Sequence, residues 1–128
     1  MTHSVFKSGL LALAMVFGIA TAQAGWAADG KVALFLTIKT QDGQRPALVE
    51  LWEQHLKARA EMNADHVVYV FATDMNDANT VHISEVYATQ AAFQTASQSP
   101  WFGAFMTEVG PLLAAEPQFA MAAPHWIK

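Results

Sequence analysis

Apolar residues in the stretch Lys31-Val32-Ala33-Leu34-Phe35-Leu36-Thr37-Ile38 fall on both sides of an extended chain. Val32, Leu34, Leu36 and Ile38 share one face; Ala33, Phe35 and Thr37 share the other. A run of β-formers that is apolar on both faces predicts a strand covered from both sides. Gln41-Asp42-Gly43 reads as a turn, and Pro46 suits the first turn of a helix, where its missing N–H costs nothing. That helix is expected to run to about Met62. On a 100° wheel Leu48, Val49, Leu51, Trp52, Leu56 and Met62 oppose Glu50, Glu53, Gln54, Lys57 and Glu61. Two polar residues, His55 and Arg59, fall inside the apolar arc one helical turn apart. His66 to Thr73 and Val81 to Tyr87 are strands joined by the Asp/Asn-rich turn 74–79, which predicts a hairpin. Thr89 caps a short helix from Gln90 to about Ser97, and Ser99-Pro100 opens another to about Val109. Gly110-Pro111 interrupts it, Leu112-Leu113-Ala114 adds a turn, and Gln118 to Ala123 is a fourth strand.

The order β-α-β-β-α-β is the split βαβ arrangement, so the expected fold class is α+β, ferredoxin-like, with an antiparallel sheet. Two helices cover only one face of four strands. The other face would leave an apolar patch of several hundred Å² exposed, and a second copy packed sheet against sheet, a homodimer, is the simplest cover.

Ahead of the first strand, residues 1–24 read as a secretory signal. Lys7 supplies a positive charge, Gly9 to Ala22 is apolar, and Ala22-Gln23-Ala24 offers small residues to a signal peptidase. The expected cut follows Ala24, with a second possible cut after Ala27 or Ala28. The apolar run is short of the ~20 residues that span a bilayer, so no stable membrane anchor is expected after cleavage and the chain is expected to be periplasmic or secreted. Residues 25–30 form the mature N-terminal segment, 31–123 one domain, and 124–128 a C-terminal tail. The length of 128 residues fits one domain. With no cysteine, thiolate metal sites, disulfides and thiol nucleophiles are excluded. Seven Lys+Arg against 11 Asp+Glu argue against a nucleic-acid partner.

The candidate chemistry is sparse. An Arg on the apolar face of a helix needs a partner or a ligand. His55 is a candidate proton acceptor and Arg59 a candidate anion stabiliser; the plainer alternative is a satisfied core histidine and an Arg whose stem packs while its head reaches water. In the expected hairpin register Glu85 shares a face with Tyr69, Phe71, Ile83 and Tyr87, where it could act as a base or form a structural ion pair. His66 and His82 are expected as ordinary strand histidines that neighbour each other across the hairpin, with no further metal ligand in the pattern. Trp52, Phe71, Trp101, Phe102 and Phe105 could wall a pocket or simply fill the core. Asn63, Asn76 and Asn79 read as helix-end and turn residues.

The chain resembles the antibiotic biosynthesis monooxygenase (ABM) family over about Lys31 to Phe119. The resemblance rests on the Tyr69-to-Asp74 strand end, Ser84-Glu85-Val86-Tyr87, Ala92-Phe93, Ser99-Pro100-Trp101-Phe102 and Gly110-Pro111-Leu112-Leu113-Ala114. It implies a dimeric α+β barrel of ferredoxin-like subunits. It also implies an oxygenase that attacks a small quinol or phenolic aromatic, without a cofactor and with O₂ as co-substrate. On this reading His55 or Glu85 takes a proton, Arg59 or Tyr69 steadies negative charge, and Trp52, Phe71, Trp101, Phe102 and Phe105 form the substrate pocket. Quinol-oxidising relatives often carry His where this chain has Ala96 and Trp101, and often Gly where it has Asp65. The first two departures favour the alternative, a non-catalytic periplasmic ligand-binding or stress-associated module. A third reading, haem binding or breakdown, is disfavoured by Met106, where the haem-degrading branch carries its iron-ligating His, and by Tyr87, where that branch has a Trp.

Overall fold

The computed structural model describes residues 30–128, so the expected signal segment lies outside the described residues. Strands β1 (Val32–Lys39), β2 (His66–Thr73), β3 (Thr80–Tyr87) and β4 (Gln118–Ala122) form one sheet in the order β2-β3-β1-β4, every neighbouring pair antiparallel. This is the α+β ferredoxin-like order, as expected. Helix α1 (Arg45–Trp52) continues through a π-helical turn (Glu53–Lys57) into α2 (Ala58–Met62). After the hairpin come α3 (Gln90–Ser97), α4 (Pro100–Val109) and a 3₁₀ turn (Gly110–Leu112). Among the described residues no helix is long and apolar enough to cross a membrane.

The local signals act as expected. Gly43 has φ +76°, the left-handed conformation that a residue without Cβ adopts at no steric cost. Pro46 sits in the first turn of α1. The Thr89 hydroxyl accepts the Ala92 N–H at 3.0 Å and caps α3. Ser99 occupies the cap position of α4, but its hydroxyl turns back and donates to the Thr95 carbonyl at 2.6 Å. Its contribution is therefore to join the two helices rather than to satisfy the first N–H groups of α4.

The helices cover one face of the sheet. Val32, Leu34 and Ile38 from β1 and Val81 and Ile83 from β3 are buried beneath Leu48, Leu56, Phe93, Phe105 and Val109. They form two apolar clusters, one under α1 and α4 and one under α3, and Leu36 and Trp101 touch both. Among the described residues no element covers the opposite face. There Phe35 and Val70 are about half exposed, at 50% and 49%. Register places Phe35 opposite Ser84 on one side and Ala120 on the other, and Val70 opposite Ser84, so a single row crosses this face.

One irregularity sets the hairpin's chemistry. His66 pairs with Tyr87 and Val68 with Val86, so Val67 is an extra residue, a β-bulge. Strict alternation would put His66 on the open face with Val68 and Val70. The bulge turns it under the helices instead. The expectation that His66 neighbours His82 is corrected by the register: His66 pairs with Tyr87 and His82 with Ala72, so the two stand at opposite ends of the hairpin as well as on opposite faces. His82 instead pairs through Nε2 with Asp74 at 2.6 Å and through Nδ1 with the Thr37 hydroxyl at 3.2 Å. The His82 imidazole, followed by the N–H groups of Asn76 and Asp77, holds the Asp74 carboxyl down to about 2.

The 74–79 turn is closed by Arg45, whose Nη1 donates to the carbonyls of Asp74 and Asp77, both at 2.9 Å, and of Thr80 at 3.3 Å. Arg45→Met keeps the stem and strands these acceptors. We expect a loss of about 2 kcal/mol, the scale of a charged hydrogen-bond set that is partly water-exposed, seen as a lower urea midpoint at unchanged slope.

Candidate active site

Between the two clusters the helical layer stands off the sheet. The result is an apolar cleft of roughly 860 Å³, counted out to the solvent at its mouth. Its floor is the inner face of β1 and β3 (Leu34, Leu36, Ile83, Glu85, Tyr87) with Tyr69 of β2. Its walls are Leu56, Arg59 and Asn63 on one side and Phe93, Ala96, Trp101, Phe102, Phe105 and Met106 on the other. Ala96 and Trp101, the positions where quinol-oxidising relatives often carry His, thus line the cleft as a methyl group and an indole.

The polar groups inside are few and gathered. The His66 and Glu85 side chains are only 5% and 14% exposed, with Nε2 and Oε1 3.0 Å apart. The contact is at ion-pair distance without hydrogen-bond alignment, and Nε2 is buried beside the carboxylate. The His66 ring is held by stacking on Tyr87 (centroids 4.3 Å apart, planes 18° apart) and by the edge of Tyr69 at 4.7 Å. Burial first, and the nearby Glu85 charge second, push the phenols of Tyr69 and Tyr87 well above the ordinary tyrosine range. Both therefore stay protonated and act as donors, not bases. The Tyr69 oxygen accepts a 2.8 Å hydrogen bond from the Trp52 indole N–H, so its own O–H is free to donate elsewhere.

The structure sorts the residues singled out from the sequence. Glu85 and Tyr69 meet in the cleft in the expected register, and Arg59, Trp101, Phe102 and Phe105 line it. Trp52 and Phe71 do not. They stack on each other at 4.3 Å behind Tyr69 and hold it from outside. His55 also lies off the cleft. It sits in the π-helical turn, faces α4 with its ring 6.3 Å from Phe105, and its Nε2 pairs with Glu108. The apolar arc of the first helix divides between the sheet and α4, and His55 and Arg59 both belong to the α4 side. Arg59 rides over the Trp101 ring, its guanidinium carbon 5.0 Å from the centroid.

Two functional candidates were not singled out by residue pattern. His66 was expected as an ordinary strand histidine near His82, not as the partner of Glu85. Asn63 is the helix-end residue it was expected to be, with its Oδ1 accepting the Asp65 N–H at 3.0 Å, but it also lines the cleft. The one available sequence signal was the position of both residues at the junction where helix gives way to strand, where ligand-contacting residues concentrate.

The chain belongs to the antibiotic biosynthesis monooxygenase family, whose profile matches residues 32–108. None of the curated proteins matches it. Among solved structures, an ABM-type protein from Chloroflexus aurantiacus superimposes with a TM-score of 0.66 at 20% identity, over 77% of this chain and 97% of its own. One from Caulobacter crescentus gives 0.70 at 16% identity, over 76% and 92%. One from Nitrosomonas europaea gives 0.70 at 8% identity, over 80% and 97%. Likeness at these identities carries the fold; chemistry has to be argued from the cleft.

Proposed function

We propose that this protein is an exported monooxygenase that uses O₂ and no cofactor to oxidise a small quinol or phenolic aromatic. One observation carries the reading: a carboxylate, Glu85, sits with an imidazole, His66, at the floor of a mainly aromatic and aliphatic cleft. A base in a dry site can take a phenolic proton, and the resulting anion is electron-rich enough to reduce O₂ itself. In the proposed sequence Glu85 accepts the hydroxyl proton and His66 steadies the carboxyl. The substrate anion passes one electron to O₂. The radical pair recombines to form a carbon–oxygen bond, giving a hydroperoxide. Cleavage of its O–O bond, with protons returned through the Glu85–His66 pair, releases water. For a quinol the balance is quinol plus O₂ to hydroxyquinone plus water. The Tyr69 hydroxyl donates to the oxygen on which charge develops.

The proposed working form is a homodimer joined through the open sheet face, outside the cytoplasm; the signal-type leader in residues 1–24 supports that location. The test is O₂ consumption by the purified protein with a reduced naphthoquinol, against heat-inactivated protein and a chelator control. Uptake well above autoxidation and insensitive to chelator is the expected result. The alternative, a binding module without chemistry, is favoured by the absence of His at Ala96 and Trp101 in the cleft wall. It predicts that the same aromatics raise the melting temperature while O₂ uptake stays at the autoxidation background.

A further inference from the structure

Arg45 and Arg59 are the two arginines of the chain. Arg45 is engaged through Nη1 by three backbone carbonyls of the hairpin turn. Arg59 is exposed at the mouth of the cleft, and no described acidic side chain or carbonyl pairs with it. Its contact is the face of Trp101 at 5.0 Å. A guanidinium held over an indole keeps its in-plane N–H edge open, and that edge matches the two oxygens of a carboxylate.

Asn63 is the C-cap of α2, four residues after Arg59, and lines the same cleft. Its Oδ1 is committed to the Asp65 N–H at 3.0 Å, which leaves its Nδ2 donors without a partner among the described residues. Two sets of unpaired donors thus stand together at the entrance. The floor has the opposite character. Glu85 is already an acid in a nearly dry site, so a second carboxylate there would meet like charge and lose its water. An acidic group on a ligand is attracted at the mouth and repelled at the floor, and the two ends define an orientation.

We propose that the ligand of this cleft is an aromatic acid. Its carboxylate is held by the Arg59 guanidinium and the Asn63 amide at the mouth, its ring lies against Trp101 and Phe105, and its hydroxyl is presented to Glu85 and His66. This rests on the cleft being the substrate site and adds the substrate's charge and direction of entry.

The test is calorimetric titration of the purified protein with a matched pair, 2-naphthol and 6-hydroxy-2-naphthoate. The acid is expected to bind about 10-fold tighter, the scale of one charge-assisted contact at an exposed edge. The advantage should shrink in 1 M salt. Arg59→Met, which keeps an apolar stem on Trp101, should bring the ratio close to one while naphthol affinity stays within about 2-fold. Equal affinities in the parent protein, or an advantage that survives Arg59→Met, overturn the assignment and leave the aromatic cleft standing, because naphthol still binds. Binding of neither compound by folded protein removes the cleft as a substrate site and this assignment with it.

Discussion

Glu85→Gln is expected to lower kcat for quinol oxidation by about 100-fold or more, the usual contribution of a positioned general base, with KM little changed. The amide matches the carboxylate in shape, so the cleft floor keeps its form; what is lost is the capacity to take a proton. His66→Asn tests the second member of the pair. His66 acts on Glu85 through its buried Nε2, 3.0 Å from Oε1. A smaller loss in kcat than for Glu85→Gln is the expected result for a group that acts through the base rather than as the base. Tyr69→Phe removes the donor, and also the acceptor of the Trp52 indole N–H, and should cost about 10-fold in kcat. His55→Ala is the internal control. His55 lies outside the cleft against Glu108, so its loss should leave the rate close to that of the parent. Full activity in Glu85→Gln would end the proposed mechanism.

The second large effect concerns assembly. Val70→Asp or Phe35→Asp should convert a dimer into a monomer, read by light scattering at micromolar protein. These side chains are 49% and 50% exposed on the face that no helix covers. Ser84 and Ala120 lie in the same cross-strand row, so larger side chains alternate with small ones that a facing sheet could fill. A stable interface of ordinary size buries about 1,600 Å² in total, which one face of a four-stranded sheet can supply. In a two-fold dimer each substitution enters twice, so both partners desolvate a new carboxylate. The parent's melting temperature should rise with protein concentration, and that of the variants should not. A parent protein that is monomeric at these concentrations would remove the reason for apolar residues on this face. Arg59 and the cleft lie on the opposite, helix-covered side, so the aromatic-acid titration reads independently of this result.

What the sequence determined by itself is the set of elements and their order. Strand β1 was legible because Val32, Leu34, Leu36 and Ile38 repeat with period two. The helices were legible because Pro46, Thr89 and Ser99-Pro100 mark their starts, and the Asp/Asn turn joined the hairpin. All of these rest on contacts within a few residues, where local physics decides. From them followed the fold class and the correct partners for Glu85, since Tyr69, Phe71 and Ile83 meet it by alternation along regular strands.

What only the tertiary structure decided sits at two breaks in regularity. A bulge at Val67 reverses the facing of His66, which alternation alone would have left on the open face of the sheet. At the π-helical turn of residues 53–57, the wheel's single apolar arc resolves into one side on the sheet and another on α4. There His55 goes to Glu108 and Arg59 to Trp101. One extra residue in a ladder or a helical turn leaves almost no mark in local sequence, because it is selected by packing against distant elements. The base pair of the site exists because long-range contacts hold that bulge in place.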